Sequence, residues 1–287
     1  MALVTEENIT DLAVERWRTA HDPRLAEIMG ALVRHLHNCA REVQLSEAEW
    51  MAAIQWLTAT GQASDDKRQE FILASDVLGL SMLVVQLNHR FDAAATPATV
   101  LGPFHIAGSP DLPYGGDMSE GLAGTPLYVT GTVRGVGGEP IAGAVLDVWQ
   151  ADEEGLYESQ ITEVDEARLR AVYASREDGG YCVRTIAPRG YSIPMDGPVG
   201  DLIGRTEISH FRPAHVHFLV EAEGHERLIT HLFEAGGEYL DTDVVFGTKE
   251  PLVVAFEERP PGPTPAGGDA AVPFLVAEYD FVLQPRS

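Results

Sequence analysis

Over the first 95 residues the apolar positions recur with the 3.6-residue period of a helix. Ile9, Leu12, Ala13 and Trp17 predict a helix over 9–17, and Leu25, Ile28, Met29, Leu32, Val33, Leu36, Ala40 and Val43 form one stripe over 24–43. Ser46 and Glu49 make a capping-box pattern ahead of WMAAIQWLTAT, with Gly61 where a helix stops. The spacing predicts a fourth helix, one long element over DDKRQEFILASDVLGLSMLVVQLNHR. After Phe71 it is apolar nearly all round, which asks for burial on several sides, a second subunit among them.

Beyond AAATPATVLGPF the period shortens. TPLYVTGTVRG, GAVLDVWQAD, GGYCVRTIA, AHVHFLVEAE and FLVAEYDFVLQ are short alternating or β-branched runs separated by Gly, Pro and Asp. They predict the strands of an all-β sandwich. In the last run Leu275, Ala277, Tyr279, Phe281 and Leu283 share one face, with Glu278, Asp280 and Gln284 on the other. RPPGPTPAGG, 259–268, reads as a loop. The expected architecture is therefore α+β and multidomain: a helical domain over 1–100, then an all-β sandwich over 101–287.

Composition adds limits. The chain has 287 residues, 45% hydrophobic and 22% charged, ordinary for a soluble protein with a substantial core. No apolar run reaches membrane-spanning length, and MALVTEENIT lacks the basic and apolar segments of a signal peptide, so a cytoplasmic location is expected. Cys39 and Cys182 are expected as two separate reduced thiols. A formal charge of -24 repels nucleic acid and anionic membranes, and favours a neutral small molecule as partner.

The candidate chemistry starts in FRPAHVHFLV. His215 and His217 lie two apart in an extended run, where i and i+2 share a face and two imidazoles can reach one cation. The competing reading is a pair of core histidines bonded to neighbours. His35 and His37 have the same spacing in a helix, where it turns them apart, so they read as surface or packing residues. With no cysteine near, a thiolate zinc site is disfavoured. Tyr157, after QADEEGL, and Tyr191, in APRGYSIP, sit in irregular segments. Each alone reads as a turn-anchoring hydroxyl. Beside the histidine pair they suit a hard trivalent cation, whose charge overrides the usual phenol pKa of about 10. Two tyrosinates and two neutral imidazoles leave Fe(III) one net positive charge, and a hydroxide neutralises it in a partly buried pocket.

At these residues the chain resembles the intradiol ring-cleavage dioxygenases, the catechol 1,2-dioxygenase group, and within it the hydroxyquinol-cleaving subgroup. The resemblance runs through QEFILASDVLGLSMLV, LGPFHIAGSP, VWQADEEGLY, GYSIPMDGPVG, RPAHVHFLV and THLFEAGGEYLDTDVVFG. It implies a sandwich catalytic domain preceded by a helical dimerisation domain, a homodimer, and a phospholipid at the dimer interface. It implies one Fe(III) per subunit held by Tyr157, Tyr191, His215 and His217, with Tyr191 and His215 axial and Tyr157 and His217 equatorial beside a hydroxide. Tyr191 would take a substrate proton and Arg212 would stabilise negative charge on the substrate; a structural ion pair is the competing role for Arg212. The implied reaction inserts both atoms of O2 into an aromatic diol, hydroxyquinol foremost, and yields a muconate.

The resemblance also implies a substrate pocket of Leu73, Asp76, Val100, Leu101, Gly102, Pro103, Phe104, Ile193, Pro194, His231 and Val245. His231 stands where catechol-cleaving relatives usually carry glutamine. Asp76 has apolar neighbours Leu73, Val77 and Leu80, and its carboxylate could bond a third ring hydroxyl. Leu101 is smaller than the aromatic expected there, leaving room for ring substituents. Three alternatives stay open: a catechol or chlorocatechol 1,2-dioxygenase; a zinc or Fe(II) site built from His215, His217 and an acid such as Glu234; and a non-catalytic sandwich that binds an aromatic or lipid ligand. A red colour from tyrosinate-to-iron charge transfer separates the intradiol readings from the other two.

Overall fold

Two of the long N-terminal helices start where the sequence supplies a cap. In the computed structural model, which describes residues 3–65, 68–119, 121–161 and 167–286, α1 (Ile9–Trp17), α2 (Pro23–Glu42) and α3 (Glu47–Gln62) match the predicted elements. The Asp22 carboxylate accepts the Arg24 N–H at 2.9 Å ahead of Pro23. Ser46 and Glu49 form the capping box: the Glu49 carboxylate accepts the Ser46 N–H at 2.9 Å, and Ser46 Oγ accepts the Glu49 N–H at 3.3 Å. His35 is exposed, and His37 Nδ1 meets Thr10 Oγ1 at 3.0 Å, so His37 ties α2 to α1 and the two point to no common ligand.

The single long fourth helix is a correction. The chain forms α4 (Glu70–Val77) and α5 (Leu80–Asn88), bent 78° apart. Gly79 between them has φ +71, a left-handed conformation that glycine takes without steric cost. The Phe246 ring packs 3.4 Å from where a Cβ at 79 would lie. Asp66 and Lys67, near the start of the predicted helix, lie outside the described residues. Two compact units result, 1–59 and 60–287; the second holds α4, α5 and every strand described below.

The strands follow in chain order: β1 (Pro126–Gly135), β2 (Val145–Trp149), β3 (Arg170–Ala174), β4 (Gly180–Ile186), β5 (Tyr191–Ser192), β6 (Phe211–Arg212) and β7 (His215–Glu221). Then come β8 (Leu228–Glu234), β9 (Val253–Val254), β10 (Glu257–Arg259), β11 (Gly262–Pro263), β12 (Asp269–Ala270), β13 (Phe274–Glu278) and β14 (Phe281–Leu283), with α6 (Pro198–Ile203) after β5. One sheet runs β3-β2-β7-β8-β9. In the other, β1 pairs with β4 antiparallel and with β13 and β14 in parallel, and β10 joins β13. The predicted last strand is thus two. Leu127 opposes Leu275 and Val133 opposes Phe281, so the register continues across the break. At the break Asp280 turns its carboxylate to the Thr132 N–H (2.8 Å). The expected loop at 259–268 is largely a turn, but it ends in the small ribbon β11–β12.

The two sheets close on one core, as a sandwich does. Leu127, Val129, Val133, Tyr181 and Phe281 from one sheet meet Leu146, Val148, Val216, Phe218 and Val220 from the other. Alternation then fixes the rest of β7. With Val216, Phe218 and Val220 facing the core, His215, His217 and Leu219 must face away from it. Yet His215 and His217 are each only 1% exposed, so that outer face is covered by other parts of the chain.

Candidate metal centre

Register across the outer face assembles the site. Trp149 on β2 lies opposite His217, and His231 on β8 lies opposite it on the other side; His215 faces Phe233. The Trp149 and His217 rings stack, 4.6 Å apart at 17°. The His217 and His231 rings meet edge to face at 4.2 Å. Three irregular segments cover the face. The turn after β2 delivers Tyr157, whose N–H donates to Gln160 Oε1 at 2.9 Å. Gly155, at φ +81, lets that turn approach Tyr191, since a Cβ there would meet the Tyr191 Cβ at 2.6 Å. The ribbon β5–β6 sets Tyr191 beside Arg212. The segment 99–104 is fastened to β8 by the Thr99 N–H on the Ile229 carbonyl (2.8 Å), and stacks Phe104 on Tyr157 at 4.4 Å and 15°.

The polar atoms converge. Tyr157 Oη lies 2.8 Å from His217 Nε2 and 3.4 Å from His215 Nε2, and the two Nε2 atoms are 3.1 Å apart. His215 Nδ1 donates to the Pro213 carbonyl at 2.7 Å, so its Nε2 carries a lone pair. Burial, with Arg212 beside it, pushes the His215 imidazole down to about 3. Burial and the neighbouring histidines hold His217 well below its ordinary value. Both rings are neutral at pH 7. Burial pushes the Tyr157 phenol well above its usual range, with Tyr191 adding to the effect. Burial raises Tyr191 too, although its bonds with Tyr157 and Arg212 pull the other way. Arg212 Nη1 donates to the His215 lone pair at 3.1 Å and the Tyr157 hydroxyl can donate to His217; a cation bound among the three atoms would take the place of these bonds.

Among the described residues, the side chains with metal-ligating nitrogen or carboxylate atoms in one cluster are His215, His217 and His231. Glu234 lies outside it, on the half-buried end of β8, which removes the acid on which the zinc or Fe(II) alternative relied. His231 Nε2 and His217 Nδ1 are buried with no hydrogen-bond partner. Burial, with Arg212 and His215 beside it, holds His231 far below its usual value, so it is neutral.

Arg212 is 3% exposed and reaches His215 Nε2 with Nη1 (3.1 Å) and His231 Nδ1 with Nη2 (3.4 Å). Its Nε donates to Asp243 at 3.0 Å. Burial works against its charge, but Asp243, Tyr191 and Tyr157 outweigh that and raise its proton affinity above normal. Asp243 and Trp149 were not singled out from the sequence. Trp149 was readable by alternation, two residues on from Asp147 on the outer face of β2. Nothing local marks Asp243 in DTDVVFG as the partner of a residue 31 positions earlier.

Apart from Asp76 and His231, the expected pocket residues fall into three groups. Leu73, Pro103, Phe104 and Pro194 line one cavity of about 430 Å³, whose rim carries Arg68, Ser159 and Asp196. Leu101 packs beside Trp149, Tyr157 and Tyr191, and Gly102 lies against His217. Val100, Ile193 and Val245 are each 3% exposed in the segments that cover the site. Asp76 is one turn beyond Leu73 on α4, 2% exposed, with Oδ1 unpartnered. Helix α4 is tied to α6 by Glu70, which accepts the Val199 N–H at 3.0 Å and Arg68 Nε at 2.9 Å.

Comparison with known proteins gives one consistent pattern. The family model described as "Dioxygenase" matches residues 109–285, and "Catechol dioxygenase N terminus" matches 22–96. The chain is 46% identical over 280 residues to 6-chlorohydroxyquinol 1,2-dioxygenase of Cupriavidus pinatubonensis, covering 98% of each. It is 44% identical over 281 residues to hydroxyquinol 1,2-dioxygenase of Nocardioides simplex, covering 98% of this chain and 96% of that one. The solved structure of hydroxyquinol 1,2-dioxygenase from Pseudomonas putida DLL-E4 superposes with a TM-score of 0.91 at 46% identity, covering 98% of this chain and 99% of that one.

Proposed function

This chain belongs to the intradiol ring-cleavage dioxygenases, and on that premise we propose that it inserts both atoms of O2 into hydroxyquinol (1,2,4-trihydroxybenzene). The ring opens between the two adjacent hydroxyl-bearing carbons to give 3-hydroxy-cis,cis-muconate, the enol form of maleylacetate. The observation that carries the chemistry is the convergence of Tyr157 Oη, His215 Nε2 and His217 Nε2 within 3.4 Å of one another. The named activities of the relatives carry the choice of diol.

Tyr157, Tyr191, His215 and His217 would hold one Fe(III) per subunit. Bound there, it supplies Lewis acidity toward the diol oxygens and prepares the ring for O2. With the cation bound, Tyr191 would be held as its phenolate, and its Oη, beside Arg212, would take a proton from a diol hydroxyl and become the neutral phenol. Arg212 donates to the oxygen on which negative charge grows. Phe104, Leu73, Pro103 and Pro194 hold the ring plane and keep water from the reacting carbons. His231, in one buried cluster with His215 and His217, faces the substrate oxygens.

Asp76 accepts the third ring hydroxyl. A substrate without that hydroxyl leaves its carboxylate unpaired, at a cost on the order of 1–3 kcal/mol, about tenfold to a hundredfold in specificity. Asp76→Ala should therefore cut kcat/KM for hydroxyquinol by that factor and leave catechol nearly unchanged. Equal losses on the two substrates, or a wild type that prefers catechol, would remove this assignment. Stability offers an independent check. Burial raises the Asp76 pKa from 3.8 to about 6, with Ser81 and Arg212 partly offsetting it. A carboxyl raised in the folded state stabilises it fully below the unfolded pKa, and that contribution is lost as the pH rises through the folded one. The wild type should thus lose on the order of 3 kcal/mol between pH 4 and 7.5 relative to Asp76→Asn.

A chlorinated hydroxyquinol is the second reading. It is favoured by the 46% identity to 6-chlorohydroxyquinol 1,2-dioxygenase and by the modest size of Leu101. For the helical part, taken as residues 1–100, we propose a dimerisation role with a bound phospholipid; Leu25, Ile28, Leu32 and Leu36 on α2 present an exposed apolar face that supports it. No single helix among the described residues is long and apolar enough to cross a membrane, and we propose a cytoplasmic location.

A further inference from the structure

The turn at 243–247 stands behind Arg212, and nothing in the chemistry above accounts for its construction. Asp243 follows the short 3-10 turn Leu240–Thr242, and its side chain is 2% exposed. Its carboxylate is bonded four times. Oδ1 accepts Arg212 Nε at 3.0 Å and the Val245 N–H at 3.3 Å; Oδ2 accepts the Gly247 N–H at 2.9 Å and Arg212 Nη2 at 3.4 Å. Phe246, at φ +60, folds the turn back so that both backbone donors reach the same carboxylate. The Val244 N–H donates to the Phe211 carbonyl at 3.2 Å, which fastens the turn to β6 beside Arg212. There is no space at 247 for a side chain: a Cβ would lie 2.9 Å from Arg212 Nη2 and 3.0 Å from Asp243 Oδ2.

The guanidinium is a rigid planar fork, so fixing Nε and Nη2 also fixes where Nη1 points. Here Nη1 points at His215 Nε2, 3.1 Å away, on the face shared with Tyr191. The carboxylate itself is held by two backbone N–H groups and so keeps its place independently of the arginine.

We propose that Asp243 is a positioning residue for ring cleavage, acting through Arg212: it clamps one edge of the guanidinium so that the opposite edge is presented to the diol oxygens beside His215 and Tyr191. This rests on the reading of Arg212 as the donor that faces the substrate. A double-mutant cycle tests it with iron-loaded wild type, Asp243→Asn, Arg212→Met and the double variant. For each, kcat and KM with hydroxyquinol are measured together with iron per subunit and the anaerobic dissociation constant for hydroxyquinol. Asp243→Asn should lower kcat about 100-fold with iron content unchanged, whereas on the Arg212→Met background it should cost no more than about threefold. Asp243→Glu, which keeps the charge but displaces it, should fall between wild type and Asp243→Asn. If Asp243→Asn does not fold, the same cycle run with Asp243→Glu must show the same loss of effect on the Arg212→Met background. An Asp243→Asn enzyme within about threefold of wild-type kcat, or an equal fold-loss in both backgrounds, overturns the positioning role alone. A wild type that cleaves no diol overturns the dioxygenase reading and the positioning role with it.

Discussion

His217→Ala should leave the purified protein without its visible absorption band and with ring cleavage slower by more than about 10³-fold. The imidazole is one of three groups whose lone pairs meet within 3.4 Å, and its Nε2 lies 2.8 Å from Tyr157 Oη. Deleting it would remove one of the four proposed ligands and also the plate between Trp149 and His231. Loss of an outer-shell partner of a metal ligand already costs 10- to 100-fold in affinity, and loss of the ligand itself should weaken binding by at least about 100-fold. Burial holds the Tyr157 phenol well above its ordinary pKa, so without a cation at hand it reverts to the neutral form and the colour goes with it. Metal analysis per subunit and the visible absorption spectrum check this. Full metal occupancy in His217→Ala would move the centre onto His231 instead.

Arg212→Met carries the second large effect, and it is twofold. Removing one partner of a buried ion pair strands the other, at a cost of about 3–5 kcal/mol. Here the stranded group is Asp243, whose carboxyl burial would raise but Arg212 holds below the usual range. The melting temperature should fall by roughly 10 °C. In the wild type the depressed pKa contributes stability above the unfolded value that is lost only as the pH falls through the lowered folded value. In the variant the Val245 and Gly247 N–H bonds still favour the charged carboxylate, but without Arg212 burial weighs more and the folded pKa rises relative to wild type; the stability gap between Arg212→Met and wild type should therefore narrow as the pH falls from about 8 through the ordinary carboxyl range. Separately, loss of a preorganised donor should lower kcat about 10²- to 10³-fold. Thermal melts across that pH range, with kcat on the same samples, separate the two effects. The double change Arg212→Met with Asp243→Asn should recover part of the stability and none of the rate.

The sequence displayed some of this arrangement and concealed the rest for identifiable reasons. Alternation in β7 placed His215 and His217 on one face, because Val216, Phe218 and Val220 form a continuous apolar line. It could not tell that the opposite face is buried as well, since the cover comes from Tyr157 and Phe104 in irregular segments and Tyr191 on the short ribbon β5–β6. The break at Gly79 was missed because the apolar pattern continues through it on both sides; only the backbone angle, set by packing against Phe246, reveals two helices. The break between β13 and β14 was hidden in the same way, with the alternation intact while Asp280 bonds across to Thr132. Local pattern is equally silent on Asp243, whose role depends on a partner from another strand. Periodicity marks neither tyrosine; donor chemistry beside the histidine pair points to both, and the family resemblance gives them as ligands.

The most direct test is the fate of oxygen. Hydroxyquinol is incubated with the iron-loaded protein under 18O2, and the ring-opened acid is weighed by mass spectrometry. The account predicts one O2 consumed per diol and both labelled atoms in a single molecule of 3-hydroxymuconate, one in each new carboxyl group. A product with one labelled atom, a semialdehyde from cleavage outside the diol, or a quinone with no label would contradict it.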